Sequence, residues 1–181
     1  MTITADHIRT TLAEYADAHP EEKHALAPLA ELLDQGADVT SRKEFRGHVT
    51  AGAVLVNDRG EALFIHHKAL DKWLTPGGHL EAEDANLLGA ALRELVEETG
   101  VTLSLAPVQS TPVHIDVHPI PANDSKGEGA HWHADFRYVF RTTGGDQAVT
   151  LQEEEVSGYA WRGVDTIADE TLRTRVSAVL R

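Results

Sequence analysis

Between Trp73 and Val101 the chain reads WLTPGGHLEAEDANLLGAALRELVEETGV, and this stretch limits what the rest can form. Its second half predicts one helix, Asp84 to Thr99, stopped by Gly100. Residues three and four apart share a helix face, so Glu94, Glu97 and Glu98 converge on one side. Leu88, Ala91, Leu92 and Leu95 form the neighbouring stripe, suited to burial against a sheet. Crowded carboxylates repel, and the negative end of the helix macrodipole disfavours them further. A bound cation would relieve both penalties, and grouped carboxylate oxygens suit Mg2+ or Mn2+. A solvated acidic face with an Arg93–Glu97 pair would account for the cluster alone. It would not account for the Pro76-Gly77-Gly78 turn ahead of the helix or the Gly100 stop behind it.

Around this stretch the chain changes period twice. Residues 4–35 read as two helices: one over Ala5–Ala18 with Ile8, Leu12 and Tyr15 on a face, then a restart at His19-Pro20-Glu21-Glu22. The second carries Leu26, Leu29, Ala30 and Leu33 and ends at Gly36. Residues 1–44 thus form an N-terminal helical extension, a packing or dimerising appendage to a domain over 45–181. From His48, HVTAGAVLVN and EALFIHHK read as strands joined by an Asn57-Asp58-Arg59-Gly60 turn. Further strands are expected in VTLSLAPVQ, TPVHIDVHPI, HWHADFRYVFRTT and GYAWRGV, with VTLQ as a short edge strand after a turn at Gly144–Gln147. One or two helices close the chain over Asp165–Arg181. Strands in the middle with helices at both ends predict an α/β fold, a mixed sheet with helices on both faces.

With no cysteine, disulfides and thiolate metal sites are excluded. No apolar run reaches the ~18 residues of a membrane span, and no basic-then-apolar leader is evident, which points to the cytoplasm. The net charge of −13, from 29 acidic and 16 basic residues, repels nucleic acid and anionic membranes. A phosphorylated small molecule must therefore be received by bound metal and a few local cations.

The stretch resembles the Nudix box of Nudix hydrolases: glycine, five residues, Glu, seven residues, then R-E-apolar-x-E-E-x-G-apolar. Arg93-Glu94-Leu95-Val96-Glu97-Glu98-Thr99-Gly100-Val101 matches the second half, and Gly78 supplies the first glycine. In one departure, Asp84 stands where the first Glu belongs, and the gap to Arg93 is one residue longer. Asp84, serving also as N-cap, is the first candidate for that role and Glu83 the second. The resemblance covers residues 47–165 and implies an α/β/α sandwich that uses Mg2+ or Mn2+ to hydrolyse a nucleoside diphosphate linked to another moiety. It implies Glu97 and Glu98 as metal ligands, Glu94 as ligand or general base, Arg93 as their orienter and the Gly78 carbonyl as a further ligand. Family members often add a Glu before the last core strand. Among Glu153, Glu154 and Glu155, Glu155 is the expected additional ligand or base.

Histidines mark the substrate side. His131, His133, Asp135 and Arg137 alternate along a strand and share a face, as do His114, Asp116 and His118. They are read as a polar pocket wall for phosphate or base, against the alternative of an exposed sheet face. His-x-His is also a transition-metal spacing, although no third ligand is fixed by sequence. His67 and Trp73, flanking the loop before the glycines, are further substrate-binding candidates, as is Lys126. The Pro119–Gly129 loop is long enough to act as a specificity lid. Two other functions fit the box less well. Isoprenoid diphosphate isomerisation is expected to want a cysteine, and a sensor that binds a nucleotide or metabolite without catalysis would commonly lack box carboxylates that are kept here. The expected partner is a small diphosphate or nucleotide.

Overall fold

A computed structural model describes residues 2–101, 105–123, 127, 129–142, 149–152 and 154–181. The chain opens with α1 (Ala5–Ala18), capped by the Thr4 hydroxyl, and α2 (Lys23–Asp34) after a short 3-10 turn at Pro20–Glu22. Their apolar faces, Ile8, Leu12, Tyr15, Leu26, Leu29 and Leu33, are buried as the helical period predicts, with Leu32 added. Then come β1 (Gly47–Val56), β2 (Glu61–His67), β3 (Lys72–Leu74), β4 (Gly77–His79) and α3 (Leu87–Thr99). The chain continues through β5 (Leu105–Pro107), β6 (His114–Ile120), β7 (His131–Thr142) and β8 (Val156–Gly163) to α4 (Glu170–Val179).

Among the described residues the eight strands form one mixed sheet. A parallel ladder from Gly47↔Trp132 to Val56↔Arg141 joins β1 to β7 through its centre. The other edge of β1 pairs antiparallel with β4 at Thr50–Gly52 and with β2 at Val56. β2 carries β3 and β8, while β7 carries β5 and β6. β1 is buried along its whole length, as a central strand covered on both faces must be. Its odd-numbered residues, Val49 to Leu55, join Phe136, Tyr138 and Phe140 in a core covered by α1, α2 and α3. Val54, Val56, Phe64 and Val139 face the other way and pack against Leu172 and Val176 of α4. The helices do lie on both faces. The N-terminal helices share the larger core, and Arg175 of α4 reaches back to Glu21 and Glu22.

Three local expectations change. α3 begins at Leu87, not Asp84, because Asn86 is its N-cap: the Asn86 Oδ1 accepts the Gly89 N–H at 2.8 Å. Asp84 is buried and its carboxylate is engaged elsewhere. The fully buried stripe of α3 is accordingly Leu87, Ala90, Ala91 and Leu95, whereas Leu88 and Leu92 are half-buried beside it. Finally, 149–152 is not a strand. It runs past the end of α3, where Thr150 N–H donates to the Thr99 carbonyl (2.8 Å) and Gln152 N–H to the Glu98 carbonyl (3.3 Å). The last carbonyls of a helix lack partners within it, and this segment supplies them. The Gly144–Gln147 turn lies outside the described residues.

Asn86→Ala should lower stability by about 1 kcal/mol, the usual cost of a lost N-cap, measured by urea denaturation. An unchanged midpoint would place the cap elsewhere.

Candidate active site

Three residues of β4 arrange the site, and two of them must be glycine. A Cβ on Gly77 would lie 2.8 Å from the Gly52 Cα and 3.0 Å from the Ala51 carbonyl oxygen, so β4 and β1 approach too closely for a side chain. A Cβ on Gly78 would lie 2.6 Å from Glu94 Oε1, in the space that carboxylate occupies. The Gly77 N–H donates to Glu98 Oε2 at 3.0 Å. The His79 carbonyl accepts from Arg93 Nη2 at 2.9 Å. The glycine turn and the end of α3 are therefore built as one unit.

Arg93 holds that unit. Nε and Nη2 grip the two oxygens of Asp84 at 2.9 and 3.0 Å, while Nη1 donates to Glu94 (3.0 Å) and Glu97 (2.9 Å). With the His79 carbonyl, all five guanidinium N–H groups are used. The bidentate pair with Asp84 puts that residue, not Glu83, opposite the arginine.

Glu94 and Glu98 sit one turn apart. Burial, against the attraction of Arg93, pushes the Glu94 carboxyl up to about 7. Burial pushes Glu98 up to about 8; the Gly77 N–H opposes this, and repulsion from Glu94 and Glu155 adds to it. Glu98 is only 4% exposed, whereas Glu97 and Glu155 are exposed. Glu155 acts on Glu98 through its charge, and Arg137 does so with the opposite sign. The box carboxylates, Glu155 and Arg137 therefore share one electrostatic neighbourhood. Glu153 and Lys126 lie outside the described residues.

The strand register sets the polar wall. His48↔His133, Thr50↔Asp135 and Gly52↔Arg137 are partners across β1 and β7, and His118↔His133 and Asp116↔Asp135 across β6 and β7. Asp135 accepts from the Thr50 hydroxyl and from Arg137 Nη2 (2.5 Å), and Arg137 Nη1 donates to Thr75 Oγ1 (3.1 Å). His131 is 7% exposed and His133 half-buried, so the His-x-His pair does not face bulk solvent. The alternation turns this wall to the sheet face opposite the α3 core, and Arg137 is the member whose charge acts on Glu98. Burial, followed by repulsion from His48, His79, His131 and His118, pushes the His133 imidazole down to about 3. Asp116, hydrogen-bonded to His118, raises that imidazole instead.

His67, at the end of β2, pairs with Val156 next to Glu155, and Trp73, in the middle of β3, pairs with His66. His67 Nδ1 accepts the Leu70 N–H at 3.3 Å. Trp73, 38% exposed, lies under the Arg162 guanidinium at 4.2 Å and meets His66 edge-on. A cleft of about 480 Å3 opens beside His131, between α2, Phe45 and Trp132, rather than over the glutamates. Sequence reading missed Thr50, Thr75, His48 and His79. The register of β4 and β7 on β1 brings Thr50, His48 and His79 to the wall, and Thr75 joins through its hydrogen bond from Arg137.

A NUDIX domain family model matches residues 46–181, and the chain belongs to the Nudix family. It is 32% identical over 133 residues to a probable DHNTP pyrophosphohydrolase of Lactococcus lactis, covering 71% of this chain and 74% of that protein. It is 36% identical over 92 residues to the m7GpppN-mRNA hydrolase NUDT17 of Danio rerio, covering 47% of this chain but only 30% of that protein. Among solved structures, a C. elegans Ap4A hydrolase binary complex superposes with a TM-score of 0.54 at 22% identity, covering 73% of this chain and 96% of that one. The NUDIX domain of Shewanella oneidensis NrtR complexed with ADP ribose gives 0.52 at 19%, covering 84% and 98%. The two structures share the fold. Family and relatives together make the chain a Nudix-type hydrolase.

The raised carboxyls carry a sign. A folded-state value above the ordinary 4.5 means the fold favours the protonated form, so metal-free stability falls as pH climbs from 4.5 through about 8. Glu98→Gln should flatten that decline in urea titrations run in chelator across the same range. An unaltered slope would show that Glu98 ionises freely.

Proposed function

We propose that this hydrolase depends on Mg2+ or Mn2+ and cleaves the pyrophosphate bond of a nucleoside diphosphate-linked or similar small diphosphate. The observation that carries the reading is the pair of carboxylates, Glu94 half-buried and Glu98 buried, at one turn's spacing against a glycine backbone. Burial disfavours their ionised form, and a cation would reverse that preference. The donors are all oxygen, which fits a hard ion. Glu94, Glu97, Glu98, Glu155 and the Gly78 carbonyl would hold it. When bound, such an ion lowers the pKa of water and offsets charge on phosphate oxygens.

The remaining work belongs to the chain. Water oxygen bonds to one phosphorus as the bridging P–O bond breaks, and a carboxylate takes the proton that the water loses. Glu94 serves as that base or as a ligand, and Arg93 fixes its rotamer. The Gly77 N–H fixes Glu98 in the same way. Arg137, braced by Asp135 and Thr75, supplies positive charge for a substrate phosphate beside Glu98. His131 and His133 extend the polar wall toward the remainder of the substrate. Similarity to the Lactococcus protein supports a nucleotide-like triphosphate or diphosphate in that place. The acidic surface disfavours nucleic acid and anionic membranes as partners, and no helix among the described residues is long and apolar enough to cross a membrane.

Nucleoside triphosphates and their oxidised forms, nucleotide sugars, ADP-ribose and dinucleoside polyphosphates, each offered with Mg2+ or Mn2+, should yield at least one substrate scored by phosphate or NMP release. Glu98→Gln should reduce its turnover by at least about 100-fold with the fold preserved, since the amide oxygen still accepts the Gly77 N–H. Full activity in that variant, or in chelator, would overturn the assignment.

A further inference from the structure

Five imidazoles crowd one patch of the sheet, and three of them come from different strands. Ring centroids are 4.6 Å apart for His48 and His133, 5.1 Å for His48 and His79, and 5.4 Å for His79 and His133. One nitrogen from each lies within 4.8 Å of the others. The geometry points to a second metal site, with His48, His79 and His133 as ligands for a borderline transition-metal ion of the Zn2+ class. It stands on its own observations and does not depend on the hydrolytic reading.

The donor set decides the class of ion. Three imidazoles with no carboxylate among them suit Zn2+, Co2+, Ni2+ or Cu2+ and are poor ligands for Mg2+. The oxygen donors around Glu98 have the opposite preference, so the two sites would sort ions between them. Zn–N bonds of about 2.0–2.1 Å space tetrahedral nitrogens about 3.4 Å apart. The nitrogens lie within 4.8 Å of one another, and the broad χ2 torsion of histidine lets the rings turn toward a shared ion.

The surroundings favour ligation over mere stacking. A ligating histidine usually engages its second nitrogen with a carbonyl or carboxylate, which fixes the ring. His48 Nδ1 lies 3.3 Å from the Glu44 carbonyl, which assigns Nε2 as its ligating atom. His131 Nδ1 is likewise 2.8 Å from the Gly129 carbonyl, and its Nε2 lies 3.1 Å from His133 Nε2. His131 is thus placed to become the fourth ligand or to border an open position. His118 is drawn aside by Asp116 at 3.0 Å. His48 is 4% exposed, whereas His79 and His133 are half-buried, so the site has one open side. Because the His79 carbonyl also binds Arg93, an ion there would brace β4 beneath both groups.

The full, tag-free chain is stripped with chelator and titrated with Co2+ in excess Mg2+. One Co2+ per chain should bind with the visible bands of tetrahedral cobalt and be displaced by Zn2+. His48→Gln, His79→Gln and His133→Gln should each lose the bands, and Glu98→Gln should keep them. Circular dichroism checks that each variant folds. If a histidine variant does not fold, pulsed EPR of the wild-type Cu2+ form counts coordinated imidazoles: three or more support the site, and fewer overturn it. Bands that persist in the folded histidine variants, bands lost with Glu98→Gln, or no Co2+ bound beside Mg2+ would each overturn it.

Discussion

The guanidinium of Arg93 is the joint on which the rest depends. It accounts for every one of its N–H groups with a carbonyl of β4, both oxygens of Asp84, and two carboxylates of its own helix. One positive charge thereby ties the glycine turn, the loop before α3 and the last turns of α3 into a single piece. Removing it would leave Asp84, which is nearly inaccessible, as an uncompensated buried charge, a class of loss worth roughly 3–5 kcal/mol. Lysine could not replace it, having three donors and no fork.

That joint explains which parts of the sequence were legible. The periods of α1, α2 and β7 follow from side chains that a helix or strand must hide, and they reappear with their predicted faces. The Glu94–Glu98 spacing was equally plain, because it is set by the helix alone. The start of α3 was not. Asp84 and Asn86 are both good caps, and the choice falls to Asn86 because a residue nine positions later claims the Asp84 carboxylate. VTLQ has a strand's composition, yet the unsatisfied carbonyls of α3 decide its path. His48 and His79 carried no local signal, since only the register of β4 and β7 on β1 brings them to His133.

β4 divides the chemistry of the molecule. Gly77 and Gly78 face the carboxylates of α3 with backbone alone, while the next residue turns its side chain to the histidines on the other face of the sheet. Hard oxygen donors and imidazoles thus lie a residue apart along one strand. Arg137, reaching Thr75 from β7 and acting on Glu98, joins the two regions. The Nudix box lies on the carboxylate side of β4, and the histidines lie on the other.

The central claim is that the end of α3 is built to receive a divalent cation. Anomalous diffraction from crystals grown with Mn2+ tests it most directly. The account predicts ordered Mn2+ among Glu94, Glu98 and the Gly78 carbonyl, with Arg93 still gripping Asp84. Ordered Mn2+ confined to another part of the chain, with Glu94 and Glu98 unchanged, would contradict it.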